Sequence, residues 1–244
     1  MHNNGADLNN DYASKPSFWR KYQFYILLII AIVFRQIPII SIPFNWLETY
    51  FHEISHGIAA LVTGGNIVSI ELFVNGAGLC TTEGGIRFFI TFFGYAGATI
   101  WGWAIYKLAG AHQRVAQAFS LCIAILFLCS IIFWAKTLLT IFIFSVLAAI
   151  FIFMSYLFFK KQKQKQKQMK FLQTLIQFFG LVVLLNSLIS PFYLLDGRNL
   201  GDGATLASLT FLPEIVWVAI WFVFALFVTY SLSGLKGQYK ISHV

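Results

Sequence analysis

The sequence predicts an all-α polytopic membrane protein of about six full spans plus a helix carrying an HExxH motif, with a short membrane-associated β-hairpin. Three observations lead there. Only 11% of the 244 residues are charged and 59% are hydrophobic, with a mean hydropathy of +0.75, whereas a soluble domain is about a quarter charged. The apolar residues come in uninterrupted runs of about 20, the length a spanning helix needs. In one place only, between Asn66 and Gly85, the period of the pattern shortens to two.

The elements follow in order. Residues 1–18 form a polar N-terminal tail holding His2, Asp7 and Asp11, with no signal-peptide pattern. Tyr22 to Pro43 is long enough to span, with a bend expected near Pro38. The motif helix follows from about Asn45 to Thr63 and stops at Gly64-Gly65, since glycine accepts the left-handed C-terminal conformation cheaply. In "NIVSIELFVNGAGLCTTEGG", Ile70, Leu72 and Val74 alternate with Ser69, Glu71 and Phe73. Asn75-Gly76 predicts a two-residue hairpin turn. Further spans are expected at Ile86–Ala109, Val115–Trp134, Leu138–Phe159, Phe171–Leu195 and Phe211 to about Leu235. Residues 19–235 thus read as a single integral membrane domain, interrupted by a basic cytoplasmic linker at 160–170 and followed by a C-terminal tail, 236–244.

The formal charge of +8 raises the question of nucleic acid. The cations, however, sit in short connectors between apolar runs, as cytoplasmic loops do under the positive-inside rule, so nucleic-acid binding is excluded and the lipid bilayer is the expected partner. If every apolar segment crossed, Lys160–Lys170 would fall opposite Arg20-Lys21. If the motif segment and hairpin add no net crossing, then Arg20-Lys21, His112–Arg114, Lys160–Lys170 and Lys236–Lys240 all lie inside. The expectation is a multi-pass protein of the cell (inner) membrane with its basic loops cytoplasmic. Cys80, Cys122 and Cys129 form no CxxC and no metal-ligand spacing.

Polar groups at membrane depth are costly, so "HEISH", His52 to His56, needs a purpose. Residues four apart share a helix face, which lets both imidazoles reach one Zn²⁺. Glu53 is rotated by about 100° from His52, near enough to a zinc-bound water to act as general base without ligating. That chemistry suits amide-bond hydrolysis. A catalytic zinc takes a third protein ligand. Val62 stands where a metzincin would place a third His, six residues beyond His56. His2 and His243 lie in tails and His112 in a basic loop; Glu48 is one turn before the motif, and Glu71 and Glu83 belong to the hairpin, where Glu71 could face substrate. Asp196 and Asp202, each before a Gly, remain as candidates, with a turn role for Asp196 and a helix N-cap for Asp202 as the structural alternatives.

"HEISHGIAALVTGGNIVSIELFVNGAG", the Gly-rich "FFGYAGATIWG" and "GDGATLASLTFLPEIVWVAIW" resemble the site-2 protease-like intramembrane zinc metallopeptidases, especially their M50B-like branch. The resemblance covers about Phe44–Gly102 and Gly201–Trp221. It implies a zinc cofactor held by His52 and His56, Glu53 as general base, and cleavage of a membrane-protein or peptide substrate. For the third ligand, "NSLISPFYLLDG" is loosely similar to the site-2 protease pattern through Asn186, Pro191 and Asp196, with altered spacing; the M50B-like branch favours Asp202, leaving Asp196 as the alternative. The hairpin would then offer an unpaired strand edge to an unwound substrate. Two other classes compete: a non-catalytic membrane protein keeping a structural or regulatory metal site, which would not need Glu53, and a transporter, for which no internal repeat is visible.

Overall fold

The computed structural model describes residues 18–161 and 166–233. The order is α1 (Phe18–Arg35), α2 (Pro38–Val62), β1 (Asn66–Leu72), β2 (Gly78–Glu83), α3 (Arg87–Ala111), α4 (Gln113–Phe133), α5 (Leu138–Lys161), α6 (Gln166–Ile189), a 3-10 turn (Ser190–Leu194), α7 (Asp202–Thr210) and α8 (Glu214–Leu232). The architecture is that of a polytopic helical membrane protein with, among the described residues, one two-stranded antiparallel hairpin. Among the described residues, five helical stretches are long and apolar enough to cross a membrane: 87–111, 113–133, 138–159, 169–194 and 214–232. Their outward faces carry bare aromatics such as Phe142 and Phe153, about 60% exposed, which only an apolar surrounding makes tolerable.

The first expected span, Tyr22–Pro43, is divided rather than bent. α1 stops at Arg35, and Pro38 opens α2. Proline fits the first turn of a helix because its missing N–H needs no partner there, while it pushes the preceding residue, Ile37, into extended backbone (φ −101°, ψ 105°). The motif helix is therefore longer than expected and carries Pro43 internally. The expected span from Phe211 begins instead at Glu214, after the short α7. Helix reaches into the Lys/Gln run from both sides, to Lys161 and from Gln166, so the expected linker is shorter; 162–165, the tail at 1–17 and residues 234–244 lie outside the described residues.

Side-chain pairs fix the helix directions. Gln173 Nε2 donates to Ala109 O (3.0 Å) and Thr99 Oγ1 to Ser187 Oγ (3.1 Å), so α6 runs against α3. The two approach closely because Gly102 and Gly180 face each other, each where a Cβ would meet the other helix's backbone under 3.0 Å away. Gln23 bonds Thr174 and Gln177, while Arg35 bonds Asn186, so α1 runs with α6. Phe51 lies on Trp101 (ring centroids 5.1 Å apart) and His56 bonds Ile90 O, so α2 also runs against α3. α1 and α2 thus advance in one sense, and together make the passage that the sequence assigned to Tyr22–Pro43 alone. Among the described residues, the starts of α1 and α6 and the end of α3 therefore lie at one end of the bundle. α4 and α5 are antiparallel, tied by Ser120 Oγ to Phe151 O (2.9 Å).

The hairpin exists where the alternation places it, but its turn differs. Gly76 N–H donates to Phe73 O (3.0 Å) and Phe73 N–H to Ala77 O (2.9 Å), leaving a three-residue loop, Val74-Asn75-Gly76, in which only Gly76 has positive φ (84°). Val74 is consequently in the loop and exposed, not on the face of Ile70 and Leu72. The register slips between Ile67 and Ser69, so Val68 is an extra residue and the alternation shifts there. β1 is sealed on its outer side by the α4–α5 connection: Ile70 N–H reaches Trp134 O (3.0 Å) and Leu72 N–H reaches Thr140 Oγ1 (3.0 Å). β2 lies along α2, with Thr49 Oγ1 donating to Gly76 O (2.6 Å).

Candidate metal centre

α2 supplies the first three side chains. Its outer face packs Tyr50, Phe51 and Ile54 into an aromatic core with Phe127 and Phe144, and Tyr50 O–H pairs with Ser130 Oγ at 2.8 Å. Burying that face turns His52, Glu53 and His56 towards a cavity of about 1090 Å³. His52 and His56, one turn apart, bring their Nε2 atoms to 3.0 Å.

α3 makes room for the imidazoles. A Cβ at Gly94 would overlap His56 Cε1 and Nε2 and lie 2.8 Å from His52 Cε1. One turn earlier on the same helix, the Ile90 carbonyl sits 2.7 Å from His56 Nδ1. That contact makes Nδ1 the donor, so in the neutral ring Nε2 is a bare acceptor. Tyr95 closes against His52, with ring centroids 4.4 Å apart.

The fourth element arrives from far along the chain. Asp202 is the first residue of α7, after Gly201 rather than at the N-cap. Leu206 buries completely beside Tyr95, Trp217 and Trp221, and Gly203 packs so closely on Glu214 that a Cβ would lie 2.6 Å from Oε1. Trp221 Nε1 donates to Phe92 O (3.0 Å), locking α8 to α3. Held this way, Asp202 Oδ2 stands 3.2 Å from His52 Nε2 and 3.3 Å from His56 Nε2.

The resulting triangle, with edges of 3.0, 3.2 and 3.3 Å, can be compared with a metal site. Ligands about 2.0–2.1 Å from a tetrahedral zinc lie roughly 3.3 Å apart. The three residues form a group able to hold a metal ion, all ligand atoms lying within 4.8 Å. The donor set argues the same way. Nε2 of His56 and a carboxylate oxygen are both acceptors, so the space between them calls for a cation or an added proton. Two nitrogens and a carboxylate oxygen fit zinc.

Asp196 is elsewhere. Its Oδ1 accepts the Arg198 N–H (2.9 Å) in an Asx-type turn, and its Oδ2 pairs with the Arg198 guanidinium at 2.5–2.6 Å. Those hydrogen bonds hold its carboxyl below the ordinary range. The structure does not bring it to the imidazoles. His112 caps α4 by accepting the Arg114 N–H (3.1 Å). Glu71 is half-buried on β1 and does not line the cavity.

Glu53 is buried beside the triangle and faces the backbone N–H of Cys80 on β2. Gly78 permits that approach; a Cβ there would lie 2.7 Å from Glu53 Cγ. Because Ile70 and Leu72 direct their N–H groups away from β2, their partners Cys80 and Gly78 direct theirs away from β1, into the cavity. The cavity wall thus includes a strand edge. Residues that the sequence did not mark also line it: Arg35, Asn45, Arg87 and Tyr193. They come from four separate elements, and no local spacing links them.

No curated protein and no solved structure matches the chain. A family model does, over residues 25–232, a stretch that takes in the divided α1–α2 passage, the hairpin, the HExxH pair and Asp202. A membrane protein whose two imidazoles and one carboxylate converge at metal-ligand spacing, matched over that length, belongs to the Peptidase M50B-like family.

Proposed function

We propose that this chain is a membrane-embedded zinc endopeptidase that hydrolyses peptide bonds of membrane proteins. His52, His56 and Asp202 are the ligands, and residues 19–235 form one catalytic domain. The triangle of donor atoms, with edges of 3.0–3.3 Å and Glu53 buried at its side, carries this reading. Bound there, zinc would supply an acidified water and polarise the scissile carbonyl. Glu53 takes the proton from the attacking water and returns it to the leaving amine. The Ile90 carbonyl keeps His56 in the tautomer that presents Nε2.

A transmembrane segment must unwind before its amide can reach this site. The β2 edge at Gly78, next to the Cys80 N–H that Glu53 occupies, supports recognition of the unwound segment by strand addition. His112–Arg114 and Lys170 lie at the end of the bundle away from the cavity, which supports reading that end as cytoplasmic in the cell membrane under the positive-inside rule. Glu53 argues against a purely structural metal, which needs no base.

The test is Glu53→Gln in purified protein. It is expected to keep its metal while cleavage of a transmembrane peptide falls by about 10²–10⁴. Cleavage at the wild-type rate would remove Glu53 from the chemistry.

A further inference from the structure

Arg35 closes α1 and lines the same cavity as His52, Glu53, His56 and Asp202. Its Nη1 donates to Asn186 Oδ1 and its Nη2 to Tyr193 O–H (3.0 Å), with the Tyr193 ring 6.0 Å from the guanidinium carbon. Asn186 is only 4% exposed, so one arm of the fork is fixed inside α6. Both acceptors are neutral. Among the described residues no carboxylate is in ion-pair contact with Arg35: Asp196 is taken by Arg198, and Asp202 by the two imidazoles.

An arginine within a membrane protein ordinarily meets an anion, and a guanidinium offers five donors of which two are used here. Amide and phenol aim the fork without neutralising it. The remaining donors are thus available to the cavity, where planar bidentate pairing with a carboxylate is the geometry a guanidinium favours. Glu48 is buried on the same wall and, among the described residues, forms no ion pair with Arg35.

Building on the proteolytic reading, we infer that Arg35, held by Asn186 and Tyr193, is a specificity determinant that binds a substrate carboxylate while the chain lies across the metal centre. The carboxylate is either an Asp or Glu side chain near the scissile bond or the free C-terminus of a short peptide. The favoured substrate is an unwound segment with an acidic group within a few residues of the bond to be cut.

Binding separates this idea from the proteolytic one. Four fluorescent Ala/Leu decapeptides, with a central Glu or Gln and each as free acid or C-terminal amide, are titrated in neutral detergent against zinc-loaded Glu53→Gln protein. Peptides with the relevant carboxylate should bind about tenfold tighter than the Gln amide. Preference for the Glu amide would assign the side chain, and preference for the Gln acid the terminus. Arg35→Gln on that background should erase the preference and leave the Gln amide unaffected; Arg35→Lys should keep part of it. Equal binding of all four peptides overturns the inference. So does a preference that survives Arg35→Gln, or an equal loss for all four, which would make Arg35 a tether between α1 and α6. Cleavage of the same peptides by wild type is scored separately: its absence would count against proteolysis and leave the binding result standing.

Discussion

Gly94 and His56 compete for one space: a Cβ on Gly94 would lie only 2.4 and 2.5 Å from the imidazole's Cε1 and Nε2. The candidate metal centre therefore depends on a missing side chain in α3 as much as on the proposed ligands in α2. Gly94→Ala is expected to push His56 off its position beneath Ile90 O and weaken metal affinity by about 10–100-fold, the range typical of damage to a ligand's support. Zinc titration of folded, detergent-solubilised protein checks it. Unchanged affinity would mean that the imidazoles do not need this space.

Asp202 and Asp196 should part company under alanine substitution. Asp202→Ala removes the carboxylate 3.2–3.3 Å from both Nε2 atoms and is expected to strip the metal. Asp196→Ala breaks an exposed pair with Arg198 and should leave metal content at the wild-type level, with little change in stability. Metal analysis of the two variants decides between them, and loss from Asp196→Ala alone would reverse the assignment.

The helix directions predict the sidedness of the chain. α6 carries the chain from Gln166 to the cavity end, so reporters fused at Gln166 and at Gly197 should appear on opposite sides of the membrane. The same side for both would undo the arrangement of α1, α2 and α6.

Close contact between α3 and α6 carries a stability prediction. Gly102→Leu would force a side chain where Leu184 N lies 2.7 Å from the Cβ position and Gly180 O lies 3.0 Å from it. Overpacking of this kind typically costs about 1–3 kcal/mol, and more where two backbones must separate. A lowered thermal transition in detergent would register it; an unchanged one would place the helices farther apart.

Sequence disclosed what is local. The HExxH spacing places two imidazoles on one face whatever surrounds them, and the switch from a helical period to alternation marks the hairpin. The turn differs from the two-residue expectation because Asn75-Gly76 occupies the last two positions of a three-residue loop, set by the pairing of Phe73 with Ala77. Pro38 marks the break after Arg35 in the sequence, but a proline alone does not say whether a helix kinks or restarts. For the third ligand the family resemblance favours Asp202 and leaves Asp196 as the alternative, since both aspartates precede glycine. Tertiary contacts decide between their surroundings: Arg198 pairs with one, and α7 carries the other to the imidazoles. Gly94 and Tyr95 sit in the Gly-rich run that carries the resemblance, but their contacts with the imidazoles, like the places of Ile90 O and Arg35, arise only when helices distant in sequence pack together.

Metal content of purified wild type and His56→Ala, measured by elemental analysis on protein that elutes as a folded species, tests the centre most directly. The account predicts about one zinc per wild-type chain and close to none in the variant. Equal metal in both, or none in the wild type after zinc loading, would contradict it.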